Sequence, residues 1–282
     1  MRWTPGGRSE NLEDRRGASP GGFGGGRGLG LGGIVVLLAL SLIFKQDFLS
    51  LAGGGGGSSA PSGDVAPVND PSEEPAVQFV SFVLDDAQGV WAQALPALGT
   101  PFQPARLVLF RDAVESACGY AQAASGPFYC PADQKVYIDL SFWRQLGEMG
   151  ASGEFAQAYV LAHELGHHVQ TLLGTSAQVS RLQQSRPEAA NQASVLLELQ
   201  ADCYAGVWGH SAAQRNKLDP GEADQGLRAA AAVGDDHLQK MSTGRVSPES
   251  FTHGSSEQRM MWFRRGFDSG DPRQCDTFSR TK

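Results

Sequence analysis

Apolar positions fall into three regimes along this chain. Residues 1–27 combine Gly, Ser and five Arg with almost nothing apolar, and they predict a disordered tail. Residues 28–51 then carry an apolar stretch, densest in Ile34-Val-Val-Leu-Leu-Ala-Leu-Ser-Leu-Ile-Phe44. It continues through Phe48, Leu49 and Leu51 if Lys45 and Asp47 lie at an interface. Residues 52–75 are a Gly/Ser/Pro linker without periodicity, opening with Gly53–Gly57 and closing with Pro71-Ser-Glu-Glu-Pro75. From residue 76 to 282 the apolar residues recur at helical or strand spacing, so a folded domain is expected there.

Within that domain, Phe79, Phe82, Val83, Val90, Trp91 and Leu95 give Val77–Leu98 a helical pattern, and Arg106–Phe110 is a short run of β-formers. Phe128-Tyr-Cys130, a Pro-Ala-Asp-Gln turn and Lys135–Leu140 predict a β-hairpin whose second strand alternates Val136, Ile138 and Leu140 with polar partners. Helices are expected from Ser141 to Leu146, from Phe155 to Leu172 and along Val195–Trp208. One or two lie between Gly174 and Lys217, broken near Pro187, and an Ala-rich one covers Pro220–Lys240, where Asp235-Asp236-His237 reads as solvated surface. The expected fold class is α+β: a mostly helical domain with a small antiparallel sheet, preceded by one transmembrane helix.

Charge places that helix. Arg2, Arg8, Arg15, Arg16 and Arg27 precede the apolar stretch, and after Lys45 no Lys or Arg occurs until Arg106. The positive-inside bias therefore predicts a signal anchor with a cytoplasmic N-terminus and an exported domain, with the lipid bilayer as a partner. The net charge of −7, without a basic block, excludes nucleic acid as a partner. Four cysteines, Cys118, Cys130, Cys203 and Cys275, allow three pairings in an exported domain. We favour Cys118–Cys130, which brackets a short loop, and Cys203–Cys275, which ties the tail to a central helix. There is no Cys-x-x-Cys spacing to suggest a structural metal cluster.

The chemistry is concentrated in His163-Glu164-Leu-Gly-His167, inside the apolar-periodic Phe155–Leu172 segment. Residues four apart share one helix face, so His163 and His167 can hold one ion, and Glu164 falls beside it. A second apolar segment carries Glu198 and Asp202, again four apart. Carboxylates on a buried helix are costly unless paired or metal-bound. Glu198 is therefore the expected third ligand of one zinc ion. Asp202 is expected to accept a hydrogen bond from the outer nitrogen of a ligating His. Two imidazoles, one carboxylate ligand and an adjacent free carboxylate suit zinc-assisted peptide hydrolysis, with Glu164 as general base. His168 points about 100° away from His167 and reads as a supporting or exposed residue, and His210 reads as structural.

These residues carry a resemblance. His163-Glu-x-x-His167 followed by Glu198-x-x-x-Asp202 is similar to the gluzincin metallopeptidases. More closely, the chain resembles a bacterial family of neutral zinc metallopeptidases that are single-pass membrane proteins. The matching segments are Met1-Arg-Trp, Glu13–Gly17, Gly126–Pro131, Val136–Leu140, His163–Gln170, Glu198–Trp208 and His253–Arg259. The resemblance implies a zinc-dependent peptidase of zincin-like fold acting on a peptide or protein substrate, and it supplies no particular substrate. Some membrane-associated gluzincins have a similar Thr-His pair six residues before an Arg, as His253 and Arg259 are here. Their next residue is typically Pro where this chain has Gly254. That likeness makes His253 a candidate oxyanion donor, with Arg259 pairing a buried acid and Ser255 or Ser256 capping a helix. Two rival readings stand beside the enzyme: a catalytically silent, metal-stabilised peptide-binding module, and a peptidase that needs a partner for activity.

Overall fold

A computed structural model describes residues 1–17 and 70–279. The expected transmembrane segment 28–51 and the linker up to residue 69 lie outside the described residues. Among those described, no helix is long and apolar enough to cross a membrane.

The strands come first. β1 (Leu12–Asp14), β2 (Arg106–Phe110), β5 (Phe128–Cys130) and β6 (Lys135–Asp139) form one sheet in the order β1-β2-β6-β5, while β3 (Ala113–Ser116) and β4 (Gly119–Gln122) make a separate hairpin. β5 and β6 pair antiparallel across the expected turn, with Tyr129 opposite Val136. The sheet as a whole corrects the antiparallel expectation, because β1–β2 and β2–β6 are parallel. The reason is burial on both faces. Leu107, Leu109, Val136 and Ile138 face the helices, whereas Val108, Phe110 and Tyr137 pack into a second apolar cluster with Val114 and Cys130. Strands covered on both sides are the ones that pair in parallel. β6 is thereby an interior strand, and among the described residues β5 is one of the two edge strands.

The tail expectation is also corrected over residues 1–17. Leu12 is partly buried against the core, and β1 pairs in register with Leu107–Leu109. Trp3 packs on Phe79 and Phe82 of α1 (Glu74–Ala94), with ring centroids 5.3 and 5.9 Å away. The Met1 amino group lies against Glu154 and Glu222. The segment is polar, but its Arg residues meet carboxylates on the domain, so it docks without an apolar periodicity of its own.

The helical layer is built from α2 (Phe142–Glu148), α3 (Glu154–Leu172), α4 (Thr175–Ser185), α5 (Ala190–Gln214), α6 (Glu222–Ala232), α7 (Asp235–Thr243) and α8 (Ser256–Ser269). A single Ala-rich helix expected over Pro220–Lys240 is two, α6 and α7. At the break, the backbone of Gly234 passes the Ser256 amide so closely that a Cβ would sit 2.4 Å from it. α8 begins with a capping box: Ser255 Oγ accepts from the Gln258 amide, and the Gln258 side chain accepts from the Ser255 amide.

α5 crosses α8 with backbone against backbone. A Cβ on Gly266 would lie 1.9 Å from the Cys203 carbonyl oxygen, and one on Gly206 would lie 2.1 Å from that of Phe263. The Cys203–Cys275 disulfide closes beside this crossing and Cys118–Cys130 closes the β3–β5 region. Both match the favoured pairing.

The crossing predicts opposite outcomes for two Gly→Ala changes. Gly266→Ala forces α5 and α8 apart and should cost at least about 1–3 kcal/mol of stability. Gly89→Ala, in α1 with nothing within 4 Å of the added methyl, should add roughly 0.5–1 kcal/mol. Chemical denaturation of the two variants checks both, and equal stabilities would contradict the backbone contact.

Candidate metal centre

α3 and α5 create the site by their closeness. Gly166 faces Ala201, where an added Cβ would be 3.0 Å from the Ala201 carbonyl oxygen and 3.1 Å from its Cα. Gly166 lies between His163 and His167, and Ala201 lies between Glu198 and Asp202. The absent side chain therefore brings the two ligand-bearing turns face to face.

His163 Nε2 stands 3.1 Å from Glu198 Oε2, and His167 Nε2 stands 3.4 Å from Glu198 Oε1. One ligand atom from each of the three residues lies within 4.8 Å of the others. Zinc bonds of about 2.0–2.1 Å at tetrahedral angles put ligand atoms roughly 3.3 Å apart, so the cluster fits zinc in size as well as in donor type. Its electrostatics agree. Burial pushes His163 down, but Asp202 and Glu198 outweigh that and lift it to about 10. His167 is likewise raised by Glu198 against burial. Glu198, which burial alone would raise, is held well below the usual carboxylate range by the two imidazoles. The centre favours positive charge between these groups.

Each ligating ring is oriented from behind. His163 Nδ1 donates to Asp202 Oδ1 at 2.8 Å. Asp202 is 0% exposed. It also accepts from Tyr159 Oη at 2.5 Å, from Arg259 Nε at 2.8 Å and from Arg259 Nη2 at 2.9 Å. The 3.3 Å approach of Arg259 Nη2 to His163 Nδ1 is packing, since Nδ1 already spends its hydrogen on Asp202. His167 Nδ1 donates to Gln170 Oε1 at 2.8 Å, and the Gln170 amide is fixed on Leu197 O at 2.7 Å. Glu164 is 8% exposed, and none of the described residues donates a hydrogen bond to its carboxylate, which lies close enough to His167 to raise it. Its oxygens are free for a small molecule at the centre.

The whole-chain comparison agrees with the centre. A family model described as "Putative neutral zinc metallopeptidase" matches residues 1–278. The chain belongs to that family. At that level it is a zinc peptidase. Among relatives, an uncharacterized protein of Escherichia coli K12, YpfJ, is 46% identical over 287 residues, covering all of both chains. An uncharacterized protein of Mycobacterium bovis, Mb2605, is 44% identical over 207 residues, covering 69% of this chain and 68% of that one. No solved structure matches.

Around the centre, the structure brings together His163, Glu164, His167, Glu198, Asp202 and Arg259, and it adds others. Tyr159 and Gln170 were not anticipated, although Tyr159 lies four residues before His163 and Gln170 three after His167, which puts each on its ligand's face. His253 sits in a loop held by Asp235. The Asp235 Oδ2 accepts from the amides of Thr252, His253 and Gly254 at 2.7, 2.7 and 3.1 Å, and Oδ1 takes His253 Nδ1 at 3.2 Å. Asp235 and Asp236 are thus not solvated surface, because Asp236 accepts from Ser256 N and Oγ at 2.7 and 2.8 Å. Gly254 has φ +93°, and a Cβ there would be 3.3 Å from Leu199, the residue after Glu198, and from Val195, about one turn before it. That backbone explains Gly in place of Pro. The His253 side chain remains 52% exposed. His168 is structural: Nε2 donates to Gln103 O at 2.6 Å and Nδ1 accepts from Tyr129 Oη at 3.0 Å. His210 holds Phe267 O at 2.7 Å.

Asp202→Asn tests the buried network without changing a metal ligand. Zinc affinity in chelator competition should fall roughly 10–100-fold. Stability should drop by about 3–5 kcal/mol, because Arg259 is left uncompensated. Parent-like affinity would show that Asp202 does not orient His163.

Proposed function

We propose that this protein is a zinc-dependent metalloendopeptidase with Glu164 as its general base. The observation that carries the reading is the state of Glu164: buried, beside the three-residue centre, and unpartnered among the described residues. A purely structural site uses its ligands and has no role for such a carboxylate.

His163, His167 and Glu198 would hold the zinc. When bound, zinc supplies Lewis acidity that lowers the pKa of a water and polarises a carbonyl. Glu164 takes the proton of the attacking water on a carboxylate oxygen and returns it to the nitrogen of the leaving amine. Asp202 keeps His163 in the tautomer that presents Nε2 to the centre, and Gln170 does the same for His167. His253 is the proposed oxyanion donor. Desolvation lowers its imidazole pKa even though the side chain is half exposed, but Asp235 and Glu198 outweigh that and raise it above the ordinary value. With Nδ1 on Asp235, Nε2–H is the ring donor left for an oxyanion. The edge strand β5, fixed to α3 through Tyr129 and His168, is a template on which an extended peptide can pair. Two disulfides suit an oxidising, extracytoplasmic compartment, and the apolar residues 28–51 suit attachment to a bilayer.

The deciding experiment is cleavage of a peptide library by the full chain with and without chelator, beside Glu164→Gln. That variant should keep its zinc and its melting temperature while hydrolysis falls by about 10²–10⁴-fold. Zinc-loaded parent protein that cleaves nothing would favour the silent binding module.

His253→Ala should lower kcat and kcat/KM together by roughly 10–10³-fold, with zinc content and Tm unchanged. Unaltered kinetics would return His253 to a loop-holding role.

A further inference from the structure

The two ends of the chain that flank residues 18–69 meet on one face of the domain. Arg16 Nη1 is 2.6 Å from the Glu73 carboxylate, and Arg8 Nη2 is 2.6 Å from that of Glu74. Glu74 is the first residue of α1. On the other flank, β1 is not merely near the domain but part of its sheet. The Leu107 amide donates to Asn11 O at 2.9 Å, the Arg15 amide donates to Leu109 O at 2.8 Å, and Lys135 Nζ reaches Glu13 at 2.9 Å. Arg2 extends the docking to Asp219, 2.7 Å away.

A polypeptide that crosses a bilayer once leaves its flanks on opposite sides. Flanks that share one β-sheet require an even number of crossings, or none. Residues 28–51 supply the roughly 20 apolar residues of one helical crossing and not of two. We propose that Met1–Gly17 and the metal domain lie on the same side of the membrane.

The Arg residues that suggested a cytoplasmic N-terminus have a second use that removes the conflict. Arg2, Arg8 and Arg16 each pair with a carboxylate of the domain, at Asp219, Glu74 and Glu73. Arg16 is buried, which an orientation signal does not need and a docking residue does.

Single-cysteine labelling of the full chain in membranes tests the proposal and uses no activity readout, so it stands apart from the peptidase reading. All four native cysteines are in disulfides. Thr4→Cys, on the exposed part of the N-terminal segment, and Arg144→Cys, with its side chain 77% exposed on α2, give one reporter per flank. With a membrane-impermeant maleimide on spheroplasts, both should label together. Both protected until lysis also keeps them on one side. Labelling of one alone, or recovery of the chain in the soluble fraction, overturns the proposal. Hydrogen exchange on the purified full chain checks the docking itself. The Arg15 amide should be protected at least 10²-fold relative to an unstructured peptide, and exchange at the unstructured rate would overturn the shared sheet.

Discussion

The site depends on one buried carboxylate. Asp202 has no solvent exposure, and an ionised carboxylate inside a helical layer costs several kcal/mol unless each oxygen is satisfied. It is satisfied by three donating side chains from two neighbouring helices: Tyr159 and His163 on α3, and Arg259 on α8. Arg259 also donates to Val233 O at 3.0 Å, closing the end of α6 onto the same network. The ionic cluster is therefore a joint between helices before it is part of a metal centre. Burial alone would raise Asp202, and Arg259 with His163 more than reverses this. The ionised form contributes stability above the ordinary carboxylate pKa, and that contribution is lost as acid takes the pH down through the lowered value.

Such a joint works only if the helices come close, and the sequence meets that need with missing side chains rather than with polar ones. Gly166 admits α5 to α3, and Gly206 with Gly266 admits α8 to α5. The Cys203–Cys275 disulfide sits one residue from Asp202, so the segment after α8 is tied to the same turn of α5. Gln200 extends the tie by donating to Cys275 O at 3.0 Å and by receiving Gln170 Nε2 at 3.2 Å, which connects the His167 side of the centre to the disulfide.

Legibility followed the range of each interaction. Features set within one or two turns were readable: the His-Glu-x-x-His face, Glu198 and Asp202 four residues apart, the Ser255 cap and the β5–β6 hairpin. The pairing of β1 was not, because a three-residue polar strand has no period to detect and is held by Glu13, Arg8 and Arg16 reaching residues far away in sequence. Parallel order in the sheet was hidden for a related reason. Leu107 to Phe110 is apolar at every position, and the alternation that marks a one-faced antiparallel strand is absent. Asp235 and Asp236 looked like solvated acids because their partners are backbone amides of residues 252–256, which carry no sequence signature.

The charge arrangement also explains why the centre tolerates burial at all. Among the described residues, Glu198 and Asp202 face one guanidinium, that of Arg259, which lies 4.0 Å from Glu198 Oε2. Burial lowers the proton affinity of His163 and His167, and these carboxylates more than reverse it. A dication offers the same compensation through the same Nε2 atoms, so protons and metal compete for one set of lone pairs. Asp202 does not take part in that exchange, because its oxygens are already committed to Tyr159, Arg259 and the far nitrogen of His163. The division is physically useful. The outer carboxylate keeps the helices assembled in either state, while the inner one, Glu198, is left to answer whichever cation occupies the centre.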